Sequence, residues 1–213
     1  MSDVKHRIAE RAAAELRPGE VVNLGIGLPN LIPTYLGAGT EVYVHTENGL
    51  LGVGPRPSPG ELDPDLIDAA KLPVTQLPGA SFFDSGQSFA MIRGGHVDVA
   101  VLGALQVSVA GDIANWAVPG KDVLGVGGAM DLVVGARRVI VTMTALTAKG
   151  DPKLVDECTY PLTARGAADV VVTDVGVFRL RDGVLTLTEL ASDVSLEDVR
   201  AVLSAAYAVE LER

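Results

Sequence analysis

The stretch Val21-Val22-Asn23-Leu24-Gly25-Ile26-Gly27 passes from a short apolar segment directly into a glycine-rich loop. Four mainly apolar residues bounded by glycines are typical of a buried β-strand. Ahead of this stretch, apolar residues recur every four positions from Val4 to Leu16, and Arg17-Pro18-Gly19 ends the pattern. This spacing predicts an amphipathic opening helix. A helix that leads into a strand and a glycine loop is a typical unit of an α/β sheet.

Further strand-like runs follow along the chain: Val42–Val44, Val97–Leu102, Arg138–Met143, Val170–Thr173, and the pair Val177–Leu180 and Val184–Leu187. The Asp182-Gly183 step between the last two predicts a β-hairpin. Because the other runs alternate with helical stretches, the sequence predicts an α/β fold. Its sheet is expected to be open and mostly parallel, with helices on both faces.

A final helix is indicated by Ser195 as its N-cap and Asp198 at its third position, with Val194 and Val199 placed for a hydrophobic staple. The chain shows no internal repeat, low-complexity tract or linker. Its 213 residues fall within the usual size of one domain. Residues 1–213 are therefore expected to form a single domain.

The net charge is −10, from 17 basic and 27 acidic residues. Proteins that bind the phosphate backbone of nucleic acids need a positive face, so this class is disfavoured. A single cysteine, Cys158, cannot form an internal disulfide, which indicates a reducing compartment. We find neither a signal-like N-terminus nor an apolar run of membrane-spanning length. We therefore expect a soluble, cytoplasmic protein without membrane contacts.

Three glycine-rich loops come after predicted strands or turns: Gly25–Asn30, Glu47–Pro55 and Gly125–Asp131. Ligands of open α/β sheets bind at the loops beyond the carboxyl ends of the strands. The first loop lacks the third glycine of a dinucleotide fingerprint, because Asn30 occupies that position. The chain also has no phosphate-binding G-x-x-x-x-G-K-[ST] loop. Nicotinamide and nucleoside triphosphate cofactors therefore have little support.

The second loop differs from the others because a carboxylate, Glu47, stands at its head. Its glycines leave the backbone bare, which allows a bulky acyl or thioester group to approach closely. A glutamate in such a loop can serve as a base, a metal ligand or a covalent nucleophile. On these residues alone, a solvated surface glutamate is the competing interpretation.

Other catalytic groups find less support. His6, His45 and His96 show no metal-ligand spacing, so no metal site is expected. The chain has no G-x-S-x-G nucleophile elbow. Cys158 follows Glu157, whose charge disfavours a thiolate, so we expect a packing role for this cysteine.

Taken together, the loops resemble those of the 3-oxoacid CoA-transferases, and more narrowly their B-type (beta) subunits. The resemblance extends in unbroken order over roughly residues 4 to 200. It is carried by six segments: Val22–Pro29, Glu47–Pro55, Pro78–Ser85, Ser88–His96, Gly111–Trp116 and Gly127–Leu132. The fold of this family, an open α/β sheet shared with sugar-phosphate isomerases, agrees with the prediction above.

The resemblance implies that Glu47 is the catalytic nucleophile and that Gly128 gives a backbone N–H to the thioester oxygen. The positions expected to bind substrate or CoA are Gly25, Gly27, Asn48, Gly49 and Gly127. Asn48 is further interpreted as orienting Glu47, with simple tolerance of the turn geometry as the alternative. The implied reaction passes through a glutamyl-CoA thioester and needs no metal or other cofactor, because the CoA thioester is itself a substrate.

The same resemblance implies a heteromer, expected to be a heterotetramer, with an A-type (alpha) subunit. It also implies transfer of CoA from an acyl-CoA, with succinyl-CoA as the expected donor, to acetoacetate or 3-oxoadipate. Two alternatives stay open. One is an offshoot that hydrolyses a CoA thioester, and the other is a non-catalytic protein that senses a ligand, since fold alone does not decide function.

Three positions depart from the family pattern: Ala145 replaces a usual histidine, Leu124 a common basic residue, and Gln87 a smaller or acidic one. They bear on substrate range and rate more than on the reaction class. Arg93 and Lys121 could meet CoA phosphates or a substrate carboxylate, or could simply be solvated. Trp116 is expected to pack in the interior.

Overall fold

The computed structural model describes residues 2–37, 39–121, 123 and 125–211. It contains four α-helices, one 3-10 helix (η1) and thirteen strands within these ranges. In chain order they are α1 (Ser2–Ala13), β1 (Val21–Leu24), η1 (Leu28–Tyr35), β2 (Tyr43–Thr46), β3 (Leu50–Val53), β4 (Gln76–Phe82), α2 (Ser85–Arg93), β5 (Val99–Gly103), β6 (Gln106–Ser108), β7 (Ile113–Ala114), α3 (Ala129–Gly135), β8 (Arg138–Thr142), β9 (Leu154–Val155), β10 (Val170–Val172), β11 (Gly176–Arg181), β12 (Val184–Leu190), α4 (Leu196–Val202) and β13 (Ala208–Val209). Among the described helices, none is both long and apolar enough to cross a membrane.

Ten strands form one sheet, in the order β13-β12-β11-β10-β8-β5-β1-β2-β3-β4. Its central strands, from β10 to β2, run parallel to one another. Antiparallel strands extend it at both sides, through β11 and β12 at one side and β3 and β4 at the other. The predicted α/β fold with a mostly parallel sheet is confirmed.

Helices cover both faces of this sheet, as predicted. Along β5, Val99 and Val101 pack into an apolar cluster with Ile8 of α1. The alternating residues, such as Leu102, pack on the other face in a cluster that also contains Ile92 of α2 and Leu132 of α3. Successive side chains of a strand point to opposite faces, so a nearly continuous apolar run buries both of them.

The local predictions near the C-terminus are also confirmed. β11 and β12 pair antiparallel, and the turn between them places Asp182 at φ 51° and Gly183 at φ 78°. Two successive positive φ angles are typical of the two-residue type I′ turn that connects the strands of a tight β-hairpin. Ser195 caps α4 and forms a reciprocal capping box with Asp198.

A second, three-stranded sheet in the order β7-β6-β9 was not predicted. Its strands are only two or three residues long. Runs this short contain too few residues to show an alternation of apolar and polar positions. Trp116 follows β7, and its indole N–H donates to the carbonyl of Leu162 at 3.3 Å.

Glu15 is a buried carboxylate in the turn that follows α1, and three arginines surround it. Arg179 and Arg11 each approach a carboxylate oxygen to 2.8 Å, and Arg138 lies at 3.8 Å. Burial by itself would raise the pKa of Glu15. The hydrogen bonds and charges of Arg179 and Arg11 outweigh it and hold that pKa below its ordinary value.

Replacement of Glu15 by glutamine is therefore expected to lower the free energy of unfolding by about 3 kcal/mol at pH 7. Because the pKa of Glu15 is depressed in the folded state, its contribution exists above the ordinary carboxyl pKa. It is lost as the pH falls through the folded value. Urea unfolding of both proteins at pH 7 and at acidic pH measures this difference. Asp193→Asn, which breaks the exposed pair with Arg7, serves as the control and should leave the midpoint nearly unchanged.

Candidate active site

Glu47 is the first residue after β2 and opens the turn that leads into β3. The turn depends on Gly49, whose φ is 125° and whose added Cβ would lie 2.1 Å from the carbonyl oxygen of Phe83. The N–H of Phe83 donates to the carbonyl of Gly49 at 3.0 Å. A side chain at residue 49 would therefore be excluded both by backbone conformation and by space. The turn that requires Gly49 thus begins at the half-buried Glu47, directly beyond the carboxyl end of β2.

Three polar side chains line up on the sheet face that carries α2 and α3. Asn23 of β1 lies directly opposite His45 of the parallel strand β2. Val22 packs toward α1, so its neighbour Asn23 points to the other face. By the same alternation, Glu47 follows His45 on that face.

A chain of hydrogen bonds connects these side chains to α2. The Nδ2 group of Asn23 donates to Oε2 of Glu47 at 3.1 Å and also lies 3.1 Å from Nδ1 of His45. Nε2 of His45 lies 3.1 Å from Oγ of Ser88. The carboxylate is thus linked through an amide and an imidazole to a helix on the sheet face.

The imidazole of His45 is held in an enclosed, apolar setting. Only 2% of the residue is exposed, and its ring stacks on Phe83 with centroids 5.8 Å apart and planes inclined by 12°. Burial lowers the pKa of His45 to about 4. His45 is therefore neutral near pH 7, with one ring nitrogen as a donor and the other as an acceptor.

Gly128 is brought against Glu47 by the third glycine-rich loop. A Cβ added to Gly128 would lie 3.5 Å from Cγ of Glu47 and 3.1 Å from the ring of Phe89. A methyl group at residue 128 would therefore be in ordinary contact with Glu47 and would press on the end of the Phe89 ring, so the backbone of Gly128 lies close beside the carboxylate side chain. Two residues that sequence reasoning paired as catalytic are adjacent in the fold.

Helices α2 and α3 are joined beside this contact. The Nε of Arg93 donates to Asp131 at 2.6 Å, and the guanidinium lies 5.8 Å from the centre of the Phe89 ring. Arg93 is thus paired with a carboxylate in this structure, and Lys121 lies exposed in a turn. Both residues remain candidates for contact with an anionic substrate, but neither lies in the hydrogen-bond chain of Glu47.

A family model described as coenzyme A transferase matches residues 5–201. The chain belongs to the coenzyme A transferase family. It is 47% identical over 209 residues to a Bacillus subtilis protein named as the B-type component of a probable succinyl-CoA:3-ketoacid coenzyme A transferase, covering 98% of this chain and 97% of the relative. It is 50% identical to the beta component of the Escherichia coli acetate CoA-transferase (97% and 94% covered) and 50% identical to the B-type component of the Pseudomonas putida 3-oxoadipate CoA-transferase (91% of each).

The fold is also found in a solved member of the group. The crystal structure of the acyl-CoA transferase YdiF from Escherichia coli O157:H7 superposes with a TM-score of 0.79 at 22% identity. The match covers 99% of this chain and 43% of that chain, so this transferase chain spans less than half the length of YdiF. At this identity, the superposition supports the fold of the chain.

The glycines of the first and third loops have different settings. Gly25 packs tightly, because its N–H donates to Val101 at 2.8 Å and an added Cβ would lie 3.0 Å from the Leu102 side chain. Gly27 (φ 92°) and Gly127 (φ 57°) have space around them, and their positive φ angles favour glycine. The interpretation of Gly25, Gly27, Gly49 and Gly127 as substrate or CoA contacts remains a prediction.

The expected orienting role of Asn48 differs from what the structure shows. The Asn48 side chain accepts from Thr46 Oγ1 at 2.7 Å and donates to the carbonyl of Ile67 at 2.8 Å. It therefore ties the Glu47 turn to the loop before β4. The amide that contacts Glu47 belongs to Asn23, which sequence reasoning missed. Its signal was a polar residue inside the apolar run of β1.

Two of the three departures from the family pattern lie in different settings in the structure. Ala145 is buried, and its N–H donates to Asp174 at 2.6 Å. Gln87 is exposed in the first turn of α2, where its backbone N–H donates to the cap Asp84. Leu124 lies outside the described residues.

Within the described part of the chain, no group of three or more His, Cys, Asp or Glu side chains is arranged to hold a metal ion.

The thiol of Cys158 is expected to react slowly. It is partly buried and points to the carbonyl of Asp112 at 3.6 Å. Burial, with the charge of Asp112 in addition, raises its pKa to about 11. At pH 8 only about one thiol in a thousand is then ionised, so alkylation by iodoacetamide should be about 100-fold slower than in the urea-unfolded chain. Equal rates in the two states would contradict this.

Proposed function

We propose that this chain is the B-type component of a two-subunit CoA-transferase. The enzyme moves CoA from an acyl-CoA, preferentially succinyl-CoA, to a 3-oxo acid such as acetoacetate or 3-oxoadipate. The observation that carries the proposal is the arrangement around Glu47, where an amide N–H anchors one carboxylate oxygen and Gly128 lies against the side chain. Such an arrangement suits a nucleophile that must stay accessible and fixed in place.

The first half-reaction loads the enzyme. The Glu47 carboxylate attacks the thioester carbonyl of the donor, and the carbon–sulfur bond breaks to give a mixed anhydride and CoA thiolate. The thiolate then attacks the glutamyl carbonyl, which releases the donor acid as a carboxylate. Glu47 is left as a glutamyl-CoA thioester.

The second half-reaction reverses these steps with the acceptor. The carboxylate of the 3-oxo acid attacks the glutamyl thioester and displaces CoA thiolate, forming a new mixed anhydride. The thiolate attacks the acceptor's acyl carbonyl, which gives the new acyl-CoA and restores the Glu47 carboxylate. Each thioester bond broken is matched by one formed, so the sequence needs no ATP, metal or further cofactor.

Each attack places a negative charge on a carbonyl oxygen. A backbone N–H at Gly128 would stabilise that oxyanion, an effect worth about 10²–10³ in rate for a single donor. Water has to be excluded while the anhydride and the thioester exist, because either would hydrolyse. A subunit interface that covers the Glu47 loop would meet this requirement.

An A-type subunit is the proposed partner, and a heterotetramer the proposed assembly. The relatives from Bacillus subtilis, Escherichia coli and Pseudomonas putida are each named as the B or beta component of their enzymes. A cytoplasmic location belongs to the same proposal, supported by a sequence with one cysteine, Cys158.

The experiment is a transfer assay on this chain purified together with an A-type subunit. Succinyl-CoA is supplied with acetoacetate, 3-oxoadipate or acetate, and both the new acyl-CoA and the released acid are quantified. Equal amounts of new acyl-CoA and succinate support transfer, and the acceptor with the highest kcat/KM identifies the substrate. Acid release without a new acyl-CoA would indicate a hydrolase. Binding of acyl-CoA with no turnover would indicate a sensor.

A further inference from the structure

We infer that His45 and Ser88 are positioning residues that fix the amide of Asn23 so that its N–H group, and not its carbonyl, faces Glu47. This inference rests on the proposed function of Glu47 as the nucleophile. Among the hydrogen bonds of the described residues, neither His45 nor Ser88 bonds to the carboxylate itself. Their effect is transmitted through the two contacts of Asn23 Nδ2, to His45 Nδ1 and to Glu47 Oε2, each of 3.1 Å.

The tautomer of His45 follows from its neighbours. Nδ1 faces the Nδ2 group of Asn23, which has only hydrogens to offer, so Nδ1 accepts and the ring proton resides on Nε2. Nε2–H then donates to Oγ of Ser88. With the opposite tautomer, Nδ1–H would repel the Asn23 N–H and favour an amide turned by 180°.

A turned amide would put the Asn23 carbonyl oxygen against the Glu47 carboxylate. Two oxygens that both accept hydrogen bonds repel at this distance, and the carboxylate would lose its donor. The tautomer of His45 therefore decides which atom of Asn23 meets the nucleophile. Ser88, as the acceptor of Nε2–H, stabilises the productive tautomer.

The carbonyl oxygen of the Asn23 amide indicates that neighbouring residues, and not its own hydrogen bonding, set the orientation of the amide. Asn23 is fully buried, and its Oδ1 has no hydrogen-bond partner among the described residues. A buried acceptor without a partner destabilises the folded protein. The two hydrogens of Nδ2 face His45 and Glu47, while the side-chain carbonyl of Asn23 is left without a hydrogen bond. That pattern is unfavourable for folding but useful for a carboxylate that must be held at one angle.

The supporting residues are themselves held rigidly. Asn23 and His45 lie on adjacent central strands, Ser88 lies on α2 and is fully buried, and the imidazole stacks on Phe83. Burial keeps His45 neutral, with a single ring proton. The hydrogen-bond chain from Ser88 through His45 and Asn23 to Glu47 requires this state. Groups fixed by regular elements and packed rings position a reacting group more accurately than a loop does.

The first test compares His45→Leu with His45→Asn in the complex with the A-type subunit. The two replacements have similar size, but asparagine keeps an acceptor at the δ position that faces Asn23. We expect His45→Leu to lower kcat for acyl-CoA transfer by about 10- to 100-fold, with KM for acyl-CoA within about twofold. His45→Asn should retain at least about ten times more activity than His45→Leu. A packing role predicts the reverse order, because leucine suits a buried site better than asparagine.

The second test removes the Ser88 hydroxyl. Ser88→Ala should slow formation of the glutamyl-CoA thioester in a rapid-quench experiment by about tenfold, at unchanged KM. Ser85→Ala, an exposed serine on the same helix, is the matched control and should behave as wild type. Wild-type rates in both Ser88→Ala and His45→Leu would overturn the inference while leaving the transferase proposal intact. A wild-type complex that forms no thioester would instead overturn the proposed function.

Discussion

Glu47→Gln is expected to lower kcat for CoA transfer by about 10⁴-fold or more, since the amide cannot open the thioester as a carboxylate does. The glutamine oxygen can still accept from Asn23, so the fold around the turn should persist. Glu47→Asp keeps the charge but withdraws the carboxylate by one methylene. A misplacement of this size is expected to reduce the rate by about 10²-fold.

Rates of the three complexes under saturating acyl-CoA and acceptor measure these effects. Glu41→Gln, an exposed glutamate just before β2, provides the matched control and should retain wild-type activity. Thermal unfolding of each variant separates a lost nucleophile from a lost fold. Glu47→Gln activity within about tenfold of wild type would be incompatible with covalent catalysis by this residue.

Gly128→Ala is expected to lower kcat by about 10²-fold or more. The added methyl would lie 3.1 Å from the Phe89 ring and 3.5 Å from Cγ of Glu47. In the proposed reaction, this methyl would take up space beside Glu47 that the incoming thioester needs. The φ of Gly128 is −82°, which alanine adopts readily, so the backbone itself should be unaffected.

The control for this variant is Gly60→Ala, at a position where an added Cβ meets nothing within 4 Å. We expect its kcat and KM to equal those of wild type. If Gly128→Ala were as active as Gly60→Ala, Gly128 could not border the reacting carbonyl. If Gly128→Ala were inactive because it unfolds, its urea midpoint would fall together with its activity.

The fold was largely predictable because strong local signals agreed with one another. The apolar run of β5 is buried on both faces, and the Asp182-Gly183 turn has the backbone that its sequence predicts. The antiparallel strands β3 and β4 were missed. Leu50–Val53 was interpreted as part of a glycine loop, and Gln76–Phe82 carries a proline and a glycine that weaken a strand pattern.

The sequence pointed to two residues of the candidate site, but not to the side chains that form hydrogen bonds around Glu47. Glu47 and Gly128 were predicted as catalytic from the family resemblance of their motifs. The structure places the two residues side by side, and their catalytic role stays a prediction. The contacts among Asn23, His45 and Ser88 were not predicted. They depend on strand register and on a helix that returns to the sheet, neither of which local sequence displays. Asn48 was predicted to orient Glu47 because it is next in sequence, but the amide that contacts Glu47 is that of Asn23.

Direct detection of the covalent intermediate tests the role of Glu47 most sharply. The complex with the A-type subunit is mixed with acyl-CoA without an acceptor, quenched in acid, and analysed by intact-mass spectrometry and peptide mapping. We predict that this chain gains the mass of CoA less one water, and that borohydride reduction marks the peptide containing Glu47. Full transferase activity with no adduct, or with the adduct at another residue, would contradict Glu47 as the nucleophile.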